Sequence, residues 1–333
     1  MSYRFLACIG AAFLSVPLSA QPPAKTKAWT TPRTPDGHPD LQGVWTNVTL
    51  TPMERPAELA GKPTLSEAEA TAYEKKDLTT NNIDDPEAPL LARAGSGSGA
   101  TAVGGYNNLF IDRGSELARV DGVKRTSLII DPPDGKVPAL TPAALQRIRQ
   151  RTRNSFDSVK DRPLGERCLL GFGSTSGPPM MPVLYNNNYQ IVQTPGAVMI
   201  LVEMVHDVRI VRTDGSPHIS PTIRKWTGDS IGHWEGNTLV VDTTNFSGNT
   251  RYRGSGEALH TIERFTRTGQ NTILYRVTVD DPESFPKPWT LEYPFLATAG
   301  PIYEYACHEG NYAMPDILGG ARKLDTETVK LKP

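Results

Sequence analysis

The stretch from Trp226 to Phe246 constrains the fold more than any other part of the chain. Two extended runs flank Gly236-Asn237, a pair suited to positive φ, so a β-hairpin with a two-residue loop is predicted. That loop length sets a register in which Glu235 faces Thr238, His233 faces Val240 and Ile231 faces Asp242. Residues two apart share a face of a strand, which puts His233, Glu235 and Asp242 on one side of the ribbon. Trp234, Leu239 and Val241 take the other side. One face is suited to a core, and the opposite face carries an imidazole, two carboxylates and hydroxyls.

The surrounding sequence repeats this kind of pattern. Tyr189 to Gln193 turns at Pro195-Gly196, a type II signature, into Val198 to Met204. Residues 207–212 run to a turn at Asp214-Gly215, and His260 to Arg267 turns near Gly269-Gln270 into Thr272 to Val279. Trp289 to Phe295 adds a last strand. About eight strands with no helical period between them favour a mainly β, antiparallel, barrel-like core of the calycin or lipocalin kind, since closure removes exposed edges. Gly43-Val44-Trp45 resembles the Gly-x-Trp start of such barrels. A propeller is disfavoured, because no repeat of about 20–50 residues is present.

The first residues set the compartment. Arg4, an apolar run and the small residue Ala20 form a secretory signal peptide, with cleavage expected near Ala20 and a periplasmic or secreted product. Cys8 stands too close to the start for a lipoprotein signal. Removing residues 1–20 takes Arg4 with it, so 35 basic residues become 34 against 36 acidic ones, a net charge of −2. Such a balance offers no basic field for nucleic acid or an anionic membrane, and no later segment approaches a membrane span. Cys168 and Cys307 then remain, and in an exported chain they most simply form one disulfide, the alternative being a thiolate ligand or nucleophile.

Ahead of the core, residues 21–165 read as a wrapping segment with two short helices. Ser66-Glu-Ala-Glu69 is a capping box that opens a helix to about Lys76. Thr141-Pro142 opens another to about Asn154, whose Arg147, Arg149, Arg151 and Arg153 read as a solvated face. Residues 92–105 are a Gly/Ser-rich loop. The β core is expected over 166–315, followed by a tail over 316–333.

Four of the six histidines sit beside carboxylates: Glu203-Met-Val-His206-Asp207, His233-Trp-Glu235, His260-Thr-Ile-Glu263 and Cys307-His308-Glu309. A carboxylate next to an imidazole fixes its tautomer and tunes its pKa for proton transfer, and the same residue types bind divalent metals. Pairing Arg267 with Thr272 would put Glu263 opposite Arg276 as a structural cross-strand ion pair. Glu203 shares the direction of Leu201 and Val205, a buried polar position. His38 and His218 lie in Pro-rich loops and are read as outside any site. His-Glu-x-x-His, Gly-x-Ser-x-Gly and phosphate-binding Gly-rich loops are all missing from the sequence.

Four segments together resemble a large group of uncharacterised secreted bacterial proteins: Thr34 to Trp45, Tyr185 to Gly196, Gly232 to Phe246 and Gly300 to Tyr312. The resemblance covers nearly all of the chain after residue 20. It implies export and one integrated architecture, and no catalytic residue carries over from it.

The functional expectation is an enzyme acting on a small organic molecule by acid–base chemistry: a hydrolase, lyase or isomerase. His233 is the acid or base, Glu235 or Asp242 its orienter, and His260, His308 and Glu203 are further site members. No cofactor is required, and a metal-dependent variant would use His233, His260 and His308 as ligands. The other reading is a carrier that holds an apolar or aromatic ligand inside the barrel against Trp226, Trp234, Trp289, Tyr185, Tyr189, Tyr303 and Tyr305.

Overall fold

The computed structural model describes residues 29–81, 111–172, 175–250 and 252–330. The expected signal peptide and the loop over 92–105 lie outside the described residues. The chain divides after Thr30, and the architecture is that of the unit Thr31–Pro333.

Nine strands close into a barrel. They are β1 (Gly43–Thr46), β6 (Asn188–Thr194), β7 (Ala197–Val202), β8 (Val208–Arg212), β9 (Asp229–Glu235), β10 (Thr238–Thr244), β11 (His260–Gly269), β12 (Thr272–Asp280) and β13 (Trp289–Ala297). β1 lies between β6 and β13 and shuts the cylinder, with Trp45 opposite Tyr189 on one side and Ala297 on the other. The core is therefore not confined to 166–315: a strand from the N-terminal segment is one of its staves. A tenth strand, β5 (Ile129–Asp131), pairs with β13 from outside the ring. β2 (Thr64–Leu65), β3 (Arg119–Val120) and β4 (Val123–Arg125) make a small separate sheet.

The expected antiparallel core of about eight strands is corrected in two respects: β1 joins the eight strands between the cysteines to make a ring of nine, and β8 and β9 run parallel. Parallel neighbours cannot be joined by a tight turn, and here the connection from Thr213 to Gly228 makes the crossover.

The hairpin register holds as expected, with Thr238 opposite Glu235, Val240 opposite His233 and Asp242 opposite Ile231. Gly236 supplies the positive φ, 58°, that this tight loop needs. Leu239 and Val241 point into the barrel, and both are fully buried. The turn at Pro195-Gly196 forms where expected, but Gly196 is not at positive φ, so it is not of type II.

Aromatic side chains fill the lumen. Tyr189, Phe265, Tyr275, Tyr293 and Phe295 are buried and pack ring against ring, with neighbouring centroids 5.0–6.4 Å apart. Met180 enters the same space. Its carbonyl accepts from Tyr293 Oη (2.7 Å) and Asn47 Nδ2 (2.9 Å), and its N–H donates to Tyr275 Oη (3.2 Å). Each large side chain removed from water stabilises the fold by about 1.5–3 kcal/mol, so this packed lumen is the main cohesive element.

Three helices surround the barrel among the described residues. Helix α1 (Glu67–Thr80) starts at the expected capping box and runs one turn further than predicted. Helix α2 (Pro142–Arg153) is capped by Thr141. Its arginines are not all solvated: Arg147 Nη2 donates to Ser284 Oγ (2.7 Å) and Arg151 Nη2 to the Gly248 carbonyl (2.8 Å), tying the helix to the barrel. Helix α3 (Ala313–Lys330) occupies the segment expected as a tail. Cys168 and Cys307 form the expected disulfide, with sulfurs 2.04 Å apart. No described helix is long and apolar enough to cross a membrane.

Candidate functional site

Alternation along β9, β10 and β11 sends Ser230, Thr243, Thr261 and Glu263 into the barrel and leaves His233, Asp242, His260 and Arg264 on its outer wall. The outward residues fall into two groups. Across the strands, His233 stands in the row of Val240 and Arg264, whereas His260 stands four residues further along β11. At roughly 3.4 Å per residue that separates the two rows by about 14 Å.

The first group is an exposed charge chain. His233 Nε2 is 3.1 Å from Glu235 Oε1, and Glu235 Oε2 accepts from Arg264 Nη2 at 2.7 Å. The bond from Arg264, reinforced by His233, holds the Glu235 carboxyl below its ordinary pKa. Glu235 thus lies within hydrogen-bond distance of His233, and Asp242 belongs elsewhere. His233 itself is mostly exposed.

The second group is built around Asp242. Its Oδ1 lies 3.0 Å from His260 Nε2 and 3.1 Å from His218 Nε2. The other nitrogen of His218, Nδ1, is 3.1 Å from Oδ2 of the buried Asp229. His218 thus bridges two carboxylates, one from each ring nitrogen. Asp229 also accepts from Arg212 Nη2 (2.7 Å), Lys225 Nζ (3.0 Å) and the Ile219 N–H (3.2 Å).

The electrostatics follow from these contacts. The bond to Asp242 raises the pKa of His260 above the ordinary imidazole value, against an opposing effect of burial, and Asp280 adds to the rise. The same bond lowers the pKa of Asp242, with burial opposing and His218 assisting. Burial works to raise Asp229, but Lys225, the Ile219 N–H and His218 outweigh it, and its pKa falls. The result is an ionised carboxylate with an imidazole on each side. No hydrogen bond is made by Nδ1 of His260 among the described residues, and a third of the side chain is exposed.

Sequence reasoning missed His218, which was read as outside any site. It sits in the Thr213–Gly228 crossover, where no periodicity exposes a side chain's direction. The available signal was that Asp242, on an outer wall, needs a partner. His38, the other excluded histidine, stacks on Trp234 with centroids 5.0 Å apart.

The remaining expected site members lie apart from Asp242. Glu203 is buried, and its carboxylate accepts the N–H groups of Asn188 (3.2 Å) and Tyr303 (3.1 Å). It fastens the 303 segment to β6. His308 lines a depression of about 350 Å³ beside the disulfide, with His206 and Asp207. Two of the His/carboxylate stretches meet there, and burial raises the pKa of Asp207. No group of three or more His, Cys, Asp or Glu side chains placed to hold a metal ion is found among the described residues.

Glu263 is corrected as well. The β11–β12 register shifts between Arg267 and Gly269, so Glu263 faces Val277, and Arg276 faces Arg264. Arg276 pairs instead with Glu292, and Glu263 pairs inside the barrel with Arg209.

Comparisons of the chain with protein-family models, with curated proteins and with solved structures found no match.

Proposed function

We propose that this protein is an exported enzyme that acts on a small organic molecule by acid–base chemistry, with His260 as the proton-transferring group and Asp242 as its orienter. The observation that carries the reading is the 3.0 Å bond from His260 Nε2 to Asp242 on a side chain one-third exposed, with no bond to Nδ1 among the described residues. A raised pKa keeps more of the imidazole protonated near neutrality, so His260 acts first as a general acid. After giving up the Nδ1 proton it keeps Nε2–H on Asp242 and becomes the base that completes a hydrolysis, elimination or isomerisation. His218 holds Asp242 in place from the other side.

The packing of the lumen speaks for this reading over a calycin-like carrier, which needs open space inside the barrel. A metal-dependent variant needs His233, His260 and His308 to converge, and the three stand in separate groups. The Cys168–Cys307 disulfide is compatible with export, and its pairing supports the signal-peptide reading.

Two measurements test the assignment. An NMR titration should place the His260 imidazole above the ordinary value of about 6.5, and Asp242→Asn should bring it down. In a screen of small esters, lactones and hydroxy-carbonyl compounds, His260→Gln should cost on the order of 10²–10⁴ in kcat with the fold intact. An unshifted His260, or undiminished turnover by His260→Gln, overturns the assignment.

A further inference from the structure

A cleft of about 570 Å³ opens between residues 163–172, residues 176–183, residues 249–250, residues 252–253 and Met53. It is separate from the Asp242 group and shares no residue with it. Its volume falls within the range of about 300–1,000 Å³ common to small-molecule sites. Met53, Leu164, Leu170, Phe172 and Met181 make much of its wall apolar, and two methionines let that wall adapt to the shape of a guest. Tyr252 forms the side nearest the barrel, packed flat on Trp289 with centroids 6.0 Å apart. Its hydroxyl is buried with no hydrogen-bond partner among the described residues.

Among the described residues lining this cleft, Arg253 alone is charged. Its Nη2 donates to Met53 Sδ at 2.8 Å, and a thioether is a weak acceptor. No ion pair to Arg253 is present among the described residues, in contrast to Arg209, Arg212, Arg264 and Arg276, each of which meets a carboxylate. The backbone of Arg253 has φ of 50°, a conformation uncommon outside glycine that persists where the surroundings hold it. Arg253 thus presents a guanidinium at the rim of an apolar cleft, bonded to Met53 Sδ and beside the Tyr252 hydroxyl, with no carboxylate on it among the described residues.

We propose that this cleft binds a small amphipathic monoanion: an apolar body of aromatic size inside and one carboxylate on Arg253. A guanidinium offers paired N–H donors to a carboxylate, which Met53 cannot accept as an anion does. The site stands independently of the proton-transfer reading, since neither His260 nor Asp242 contributes to it.

Fluorescence titration of the full chain with 1-pyrenebutyrate and its uncharged analogue 1-pyrenebutanol tests it. The carboxylate probe should bind at least about tenfold tighter than the alcohol, the scale of one charge-assisted hydrogen bond. Arg253→Gln should abolish that preference and leave the alcohol unaffected, because Arg253 is exposed and carries no core contact that the fold requires. Val183→Trp, which fills the cleft from its wall, should weaken both probes. Failure of either probe to bind, equal binding of the two by the unaltered protein, or a preference that survives Arg253→Gln overturns the proposal. Binding of both probes that Val183→Trp leaves unchanged places them elsewhere and overturns it equally.

Discussion

Replacing Glu263 tests how the barrel is held shut at its parallel seam. The parallel β8–β9 contact has two registered residue pairs, Val211–Ser230 and Arg212–Ile231, against six between β10 and β11. Side chains make up the deficit through the lumen. Arg209, on β8, points inward and grips Glu263, on β11, with both terminal nitrogens, Nη1 to Oε1 at 3.0 Å and Nη2 to Oε2. Its Nε reaches Ser230 Oγ on β9 at 3.3 Å, and Ser230 continues to Thr243 on β10 at 2.9 Å. Tyr275 on β12 donates to Glu263 Oε1 at 2.8 Å. Both charged partners are buried. Glu263→Ala strands the guanidinium in the core, which costs about 3–5 kcal/mol. Replacing the pair together, Arg209→Met with Glu263→Leu, removes the stranded charge and should come back to within about 2 kcal/mol of the unaltered protein. Urea unfolding followed by tryptophan fluorescence, with the disulfide kept oxidised, measures both. A cost below about 1 kcal/mol for Glu263→Ala, or a double variant as unstable as the sum of the singles, refutes the view that this pair staples the seam.

Two further outcomes follow from the same contacts. The raised pKa of His260 means that its bond to Asp242 stabilises the fold fully below about pH 6.5 and that this contribution fades as pH rises through the raised folded value. The lowered pKa values of Asp242 and Asp229 act in the opposite sense, contributing above about pH 4 and fading in more acidic solution. Stability measured between pH 5 and 9, as a range of roughly neutral conditions, should fall at the alkaline side, and His260→Gln should flatten that slope. For the disulfide, the bond closes a separation of 139 residues, for which the chain-entropy relation gives about 5 kcal/mol. Cys168→Ser with Cys307→Ser should therefore lower the urea midpoint sharply, and reducing buffer should reproduce the shift.

Local features of the fold were the legible ones. The Gly236-Asn237 loop dictated the register of β9 and β10 because a two-residue hairpin admits one pairing, and every outward residue of that ribbon followed from it. The caps at Ser66 and Thr141 were equally local. The Cys168–Cys307 bond was legible once the expected signal peptide was set aside, which leaves two cysteines. The β11–β12 register was not, because its turn carries a bulge between Arg267 and Gly269. A shift of one residue moved Glu263 from a cross-strand partner of Arg276 to a buried partner of Arg209. Nor could sequence say that Glu203 would spend its carboxylate on the N–H groups of Asn188 and Tyr303, since those contacts join segments far apart in the chain.

The one parallel pair in the barrel accounts for the least legible part of the candidate site. A hairpin between β8 and β9 would have ended near Asp214-Gly215, and the histidine at 218 would have had no reason to approach β10. The crossover instead travels outside the barrel before β9 can begin. It is fastened to the end of β10, where Asn245 Nδ2 donates to the carbonyls of Ile219 (3.0 Å) and Ser220 (3.1 Å) and Lys225 bridges to Phe246 in parallel. That path lays His218 between Asp229 and Asp242, and it places Lys225 on Asp229. The length of the connection was visible in the sequence and is the length a parallel crossover requires. Read with that rule, the same stretch that appeared to be a loose Pro-rich loop becomes the element that brings a second imidazole to Asp242. The parallel seam of the barrel and the His218–Asp242–His260 group on its outer wall therefore have one topological cause.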